Sequence, residues 1–166
     1  MSPMPSHGLY AITRQAHPDL PGLLSEVRQA LAGGAAVVQF RDKSGDARWR
    51  LEAASSIRDL CRAAGIPLIV NDDVALAKRA GADGVHIGRH DGDVAAVREA
   101  VGPGLLLGVS CYTDIDRARA AVAAGADYVA FGSFYPSETK PGAVHCGFDV
   151  LREARGLEKP LVAIGG

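Results

Sequence analysis

Four times the chain writes a short phrase between a stretch of helical spacing and an apolar run: Ala32-Gly33-Gly34-Ala35, Ala64-Gly65-Ile66-Pro67, Ala80-Gly81-Ala82-Asp83 and Ala124-Gly125-Ala126-Asp127. Each puts glycine where a helix ends in a left-handed cap before the chain enters a strand. The apolar runs Leu9–Thr13, Ala36–Arg41, Leu68–Asp72, Gly84–Gly88, Leu105–Ser110, Tyr128–Gly132 and Leu161–Gly165 are short and rich in Val, Ile and Leu, as buried strands are. Between them, Ala47, Leu51, Ala54, Cys61 and Ala64 mark one face of a second helix. Thr113, with Asp116 three residues on, is expected to open the fifth helix. Strand, helix and glycine return, repeated, give parallel strands joined by right-handed crossovers.

An α/β fold of the (β/α)8 TIM-barrel kind is expected in preference to an open sheet. No G-x-G-x-x-G follows the first strand, and nothing in the runs separates edge from centre. Seven strands are visible where eight close a barrel, and such barrels usually reach about 250 residues, against 166 here. The expectation is one barrel domain over residues 8–166 that lacks its eighth β/α unit, behind a frayed tail over residues 1–7. The alternative is a seven-stranded, partly open sheet completed by something else, which would leave backbone unpaired at an edge.

Composition removes several function classes. Eighteen Lys+Arg against nineteen Asp+Glu leave a net charge of −1, so no overall basic field gathers nucleic acid or an anionic membrane. No apolar stretch nears the ~20 residues of a membrane span, and residues 1–7 lack the pattern of a secretory signal. Cys61, Cys111 and Cys146 form no C-x-x-C pair, which fits a reducing cytoplasm better than a disulfide framework. Small molecules are the expected partners, and a homo-oligomer stays open.

Polar residues gather where strands end, the face on which barrels of this kind carry chemistry. Strand two ends Gln39-Phe40-Arg41-Asp42-Lys43. Alternation sends Gln39, Arg41 and Lys43 to one side and Val38 and Phe40 to the other. Two cations and an amide there suit a phosphate or pyrophosphate, with ion pairing to Asp42 or another acid as the plainer reading. Asp72 and Asp91 end strands three and four, and suit Mg²⁺, which takes one or two carboxylates beside phosphate oxygens. The second acid of each pair, Asp73 or Asp93, is expected to cap the following helix. His86 and His90 read as core or rim histidines rather than zinc ligands. Residues 133–146 are the longest aperiodic segment, a lid-like loop in which Ser137, Thr139 and Lys140 can donate to phosphate. Gly166 would let backbone approach a phosphate closely.

Taken together, 39–43, Val70-Asn71-Asp72-Asp73, 81–88, Gly108-Val109-Ser110, Pro136-Ser137-Glu138-Thr139-Lys140 and Ala163-Ile164-Gly165-Gly166 resemble, in order and spacing, the thiamine-phosphate synthase family. The resemblance runs from about Gly8 to the last residue. It implies a transferase of thiamine biosynthesis that joins a hydroxymethylpyrimidine diphosphate to a thiazole phosphate with Mg²⁺. It further implies that Gln39, Phe40, Arg41, Asp42, Lys43 and Asn71, helped by Ser110 and Lys140, hold the pyrimidine diphosphate. Asp72 and Asp91 would hold the metal, and Ser137, Glu138, Thr139 and Gly166 the thiazole phosphate. Arg41, Lys43, Lys140 and Ser110 would act on the leaving group. Two local departures stand out: Arg89-His90 precede Asp91 where the family has Gln-Glu or Gln-Asp, and Tyr112 stands where a His is common. A thiazole tautomerase of the same superfamily, another phosphate-binding barrel such as an isomerase or aldolase, and a non-catalytic phosphate-ligand-binding barrel are the rival readings.

Overall fold

The computed structural model describes residues 4–135 and 146–165. Its elements alternate throughout: β1 (Leu9–Ile12), α1 (Leu20–Ala32), β2 (Ala35–Phe40), α2 (Ala47–Ala64), β3 (Leu68–Asn71), α3 (Val74–Ala80), β4 (Gly84–Ile87), α4 (Val94–Val101), β5 (Leu106–Tyr112), α5 (Ile115–Ala123), β6 (Tyr128–Phe131), α6 (Asp149–Ala154), a single 3-10 turn (Arg155–Leu157) and β7 (Leu161–Ala163). All seven expected strands are present, within a residue or two of their expected ends, in the alternation of a (β/α) barrel.

The chain divides into two compact units, Met1–His86 with Val101–Leu106, and Ile87–Ala100 with Leu107–Gly166. In the first, β1, β2, β3 and β4 pair in that order, all parallel, with Ile12 opposite Gln39, Phe40 opposite Val70, and Asn71 opposite His86. In the second, β5, β6 and β7 do the same, with Gly108 opposite Tyr128 and Phe131 opposite Ala163. Parallel pairing brings the carboxyl ends of neighbouring strands to one edge, and that is what positions the polar residues.

Burial of apolar surface holds each unit. In the first, Val37, Val38, Phe40, Leu68, Ile69 and Val70 of the strands are buried, as are Leu23 and Val27 of α1 and Ala53, Ala54, Ile57 and Cys61 of α2. The buried stripe of α2 differs from the expected one, because Ala47 and Ala64 at the helix ends are exposed and Ala53 and Ile57 replace them. Burying a side chain like Ile57 contributes roughly 2–3 kcal/mol. Met4, expected in the frayed tail, packs with Tyr10 against Val37, Ile69 and Leu106. In the second unit Leu107, Val109, Tyr128, Val129 and Phe131 form the buried strand residues.

The helix ends follow simple chemistry. Asp19, Asp46, Asp73 and Asp114 are N-caps whose carboxylates accept from free first-turn amides. Asp93 likewise accepts from Ala96 N at 3.0 Å. The fifth helix therefore starts one residue later than expected: Asp114, not Thr113, bonds Arg117 N at 2.9 Å. A carboxylate caps at least as well as a hydroxyl and also favours the positive end of the helix. At the other ends Gly65 and Gly81 adopt the left-handed caps at φ +70° and +67°. The aspartate of the repeated phrase has its own task. Asp83 Oδ2 accepts from Leu68 N (3.0 Å) and Asp127 Oδ2 from Leu107 N (2.8 Å), so each satisfies an amide in the first two residues of a strand.

Candidate active site

The strand-end acids now sort themselves. Of Asp72 and Asp73, the second is the cap, with Oδ1 accepting from Leu76 N at 2.8 Å. Asp72 sits just past β3 with φ +62°, a left-handed backbone that a non-glycine residue adopts only under constraint. Its amide donates to His86 O at 2.8 Å, which ties the turn to β4. Asp72 Oδ2 accepts from Lys43 Nζ at 2.6 Å, joining the ends of β2 and β3.

These two line a cavity of about 480 Å³ with Asp42, Gly45, Arg50, Asn71, Asp73 and Val74. Arg50 was no candidate from sequence. It lies in the first turns of α2 and its Nη2 pairs with Asp73 Oδ2 at 3.1 Å. Asp42 is 7% exposed and structures the loop: Oδ1 accepts from Ser44 N (2.9 Å) and from the Ser44 hydroxyl, and Oδ2 from Trp49 Nε1 (3.1 Å). Alternation does not carry past Phe40, where β2 ends, so Asp42 and Lys43 both reach the cavity wall.

Gln39 and Arg41 do not line that cavity. Gln39 is 3% exposed and donates from Nε2 to Tyr10 Oη at 2.8 Å on β1. Arg41 is anchored through its backbone, whose N–H donates to Thr13 Oγ1 (2.9 Å) and whose carbonyl accepts from it (3.1 Å). Phe40 is buried in the core. His86 is 8% exposed, and burial pushes its pKa down to about 4 against a weaker upward pull from Asp72. At that value it is neutral near pH 7, and the cations that line the cavity are Lys43 and Arg50. That agrees with a core histidine and not a cation.

In the second unit, Asp91 Oδ2 accepts from Gly88 N at 2.7 Å. Arg89 N donates to Tyr112 Oη at 3.3 Å, and its guanidinium carbon lies 5.0 Å from the Tyr112 ring centroid. Within β5 the Ser110 carbonyl accepts from Arg117 Nε at 2.9 Å, while Arg117 Nη2 donates to Gly88 O at 3.2 Å. One guanidinium thus ties Gly88 to Ser110. Ser137, Glu138, Thr139, Lys140 and Gly166 lie outside the described residues.

Among the described residues no three His, Cys, Asp or Glu gather as a metal cage. Asp72, a carboxylate on the cavity wall, is a donor of the kind Mg²⁺ takes beside water and phosphate oxygens. No helix among the described residues is long and apolar enough to cross a membrane.

Residues 9–166 match the family model described as thiamine monophosphate synthase. The chain is 56% identical over 160 residues to the thiamine-phosphate synthase of Thiobacillus denitrificans, covering 96% of this chain and 75% of that protein. It is 53% identical over 168 residues to the thiamine-phosphate synthase of Methylococcus capsulatus, covering 99% and 73%. Among solved structures it superposes on thiamine phosphate pyrophosphorylase from Pyrococcus furiosus with a TM-score of 0.82 and 34% identity, over 95% of this chain and 74% of that one. A 3-dehydroquinate dehydratase from Geobacillus kaustophilus (TM-score 0.68, 18% identity, 95% and 73% covered) shares the fold alone.

Proposed function

The chain belongs to the thiamine monophosphate synthase family, and on that premise we propose that it joins 4-amino-2-methyl-5-(hydroxymethyl)pyrimidine diphosphate to 4-methyl-5-(2-phosphooxyethyl)thiazole, giving thiamine phosphate and pyrophosphate. The observation that carries the reading is the Lys43–Asp72 pair on the wall of an open cavity at the carboxyl ends of β2 and β3. A cation and a carboxylate side by side there suit a diphosphate and its counter-cation.

The chemistry asks for charge stabilisation more than for acid–base machinery. The electron-rich aminopyrimidine expels diphosphate from its CH₂ carbon, and the ring shares the positive charge left behind. The thiazole nitrogen then forms the new C–N bond to that carbon. Negative charge grows on the leaving oxygens as the C–O bond breaks. Lys43, with Arg41 and Lys140, stabilises it, and fixed cations aimed at developing charge are worth several kcal/mol. Ser110 donates to the same diphosphate. Asn71 with Gln39 and Asp42 shapes the pyrimidine end, while Phe40 stays in the core behind them, and Ser137 to Thr139 with Gly166 take the thiazole phosphate. Asp72 and Asp91 would hold Mg²⁺, which when bound shields the diphosphate oxygens. Alignment of the two substrates supplies the remaining acceleration.

The test is direct. The chain is mixed with both substrates, with and without Mg²⁺, and thiamine phosphate is followed by fluorescence after oxidation. Product that needs both substrates and the metal ion supports the reading; no product rejects it.

A further inference from the structure

We propose that Arg50 is a further binding residue for the diphosphate, a cation supplied by helix α2 and not by a strand end. The inference rests on the function proposed above and adds a residue to its site.

Asp46 caps α2, accepting from Arg48 N and Trp49 N at 3.0 Å each, and its carbonyl accepts from Arg50 N at 2.9 Å. The helix start is therefore fixed, and it places Arg50 on the wall of the cavity that Lys43 and Asp72 also line. Its side chain is 22% exposed. A guanidinium offers five N–H donors in a rigid fork. Nη2 meets Asp73 Oδ2 at 3.1 Å. Nε is buried and has no hydrogen-bond partner among the described residues.

That is an under-supplied cation. Asp73 can do little more for it, because Asp73 Oδ1 already accepts from Leu76 N as the cap of α3. A buried donor without an acceptor is unfavourable, and a planar fork is the group that matches phosphate oxygens two at a time. Lys43 lines the same wall, held by one carboxylate at 2.6 Å. A diphosphate brings more oxygens, and more charge, than Asp73 has left to give.

The rival reading makes Arg50 a tether whose whole task is to hold Asp73. Two substitutions separate the readings. Asp73→Asn keeps a capping side chain but removes the charge that competes for Arg50. Arg50→Gln removes the cation itself. Binding of inorganic pyrophosphate to the full chain, with Mg²⁺ present, is measured by titration calorimetry, and urea unfolding reports on folding. The expected result is at least about a tenfold loss of affinity in Arg50→Gln, about 1.4 kcal/mol, a smaller loss in Arg50→Lys, and unchanged or tighter binding in Asp73→Asn. Pyrophosphate affinity within twofold of the parent in Arg50→Gln overturns the proposal. So does a loss in Asp73→Asn as large as in Arg50→Gln, which would make Arg50 a tether. Should Arg50→Gln fail to fold, Arg50→Lys and Asp73→Asn decide in its place. If the parent chain binds pyrophosphate and only the Arg50 effect is missing, this inference alone falls; if the parent binds none, the functional reading falls with it.

Discussion

Lys43 Nζ lies 2.6 Å from Asp72 Oδ2, a contact that links the carboxyl end of β2 to that of β3 across 29 residues of sequence. The lysine side chain is 49% exposed and the aspartate 24%. A pair that open to water contributes about 0–1 kcal/mol to stability, too little to explain a charged residue held in a left-handed turn. On the function proposed above, the pair serves the chemistry of the cavity more than the fold.

That contrast is measurable. Lys43→Met, Asp72→Ala and Arg41→Ala are each expected to lower turnover by about a hundredfold or more, the scale of a lost electrostatic stabiliser. For Lys43→Met the urea midpoint should barely move. Near-normal turnover in both Asp72→Ala and Arg41→Ala would reject the assignment.

The two local departures from the family pattern turn out to be neighbours. The Arg89 guanidinium lies over the Tyr112 ring at 5.0 Å, and the Arg89 amide reaches the Tyr112 hydroxyl at 3.3 Å. An exposed cation–aromatic pair is worth about 0.5–1 kcal/mol. A double-mutant cycle in urea with Arg89→Gln and Tyr112→Leu should return coupling of about that size. Because Gly88 in the same loop donates to Asp91, Tyr112→Leu should also raise the Mg²⁺ concentration needed for half-maximal turnover. A coupling of zero with an unmoved Mg²⁺ requirement would make the contact incidental.

Much of this arrangement was legible in the chain, for reasons that are local. A run such as Leu68-Ile69-Val70 can hardly be anything but a buried strand, and glycine at 65 or 81 is the residue that takes a left-handed cap without penalty. The split of Asp72 from Asp73 followed from spacing, since a cap must sit directly before its helix. What escaped depends on partners distant in sequence. Gln39 meets Tyr10 because β1 and β2 pair in one register, and alternation along β2 alone cannot show that. Arg50 reaches the cavity because α2 begins where Asp46 caps it. Arg117 reaches back from α5 to the carbonyls of Ser110 and Gly88.

Gly108 supplies a prediction about packing. It faces Tyr128 on β6, and a Cβ added there would come within 2.0 Å of Tyr128 Cζ. Tyr128 is fully buried and has no room to swing away. Gly108→Ala should therefore destabilise the chain by roughly 2–4 kcal/mol, at the upper end for overpacking. Shortening the ring with Tyr128→Leu should recover part of that loss, so the double variant should be more stable than the sum of the single losses. Strict additivity in urea unfolding would show that the two residues do not meet.

His86 gives the pH dependence. Burial lowers its folded pKa to about 4 from an ordinary 6.5, so between those values the unfolded chain binds a proton that the folded chain refuses. Stability then rises with pH across that window. The contribution is fully present above about pH 6.5 and is lost as pH falls towards 4, on the order of 2–3 kcal/mol at full extent. Carboxylates titrate below pH 5 as well, so the reading comes from a difference. In protein without added metal ion or substrate, urea unfolding of the parent should weaken between pH 7.5 and 4.5 by more than that of His86→Gln, whose side chain does not titrate. Parallel stability curves would mean that His86 takes its proton in the folded chain after all.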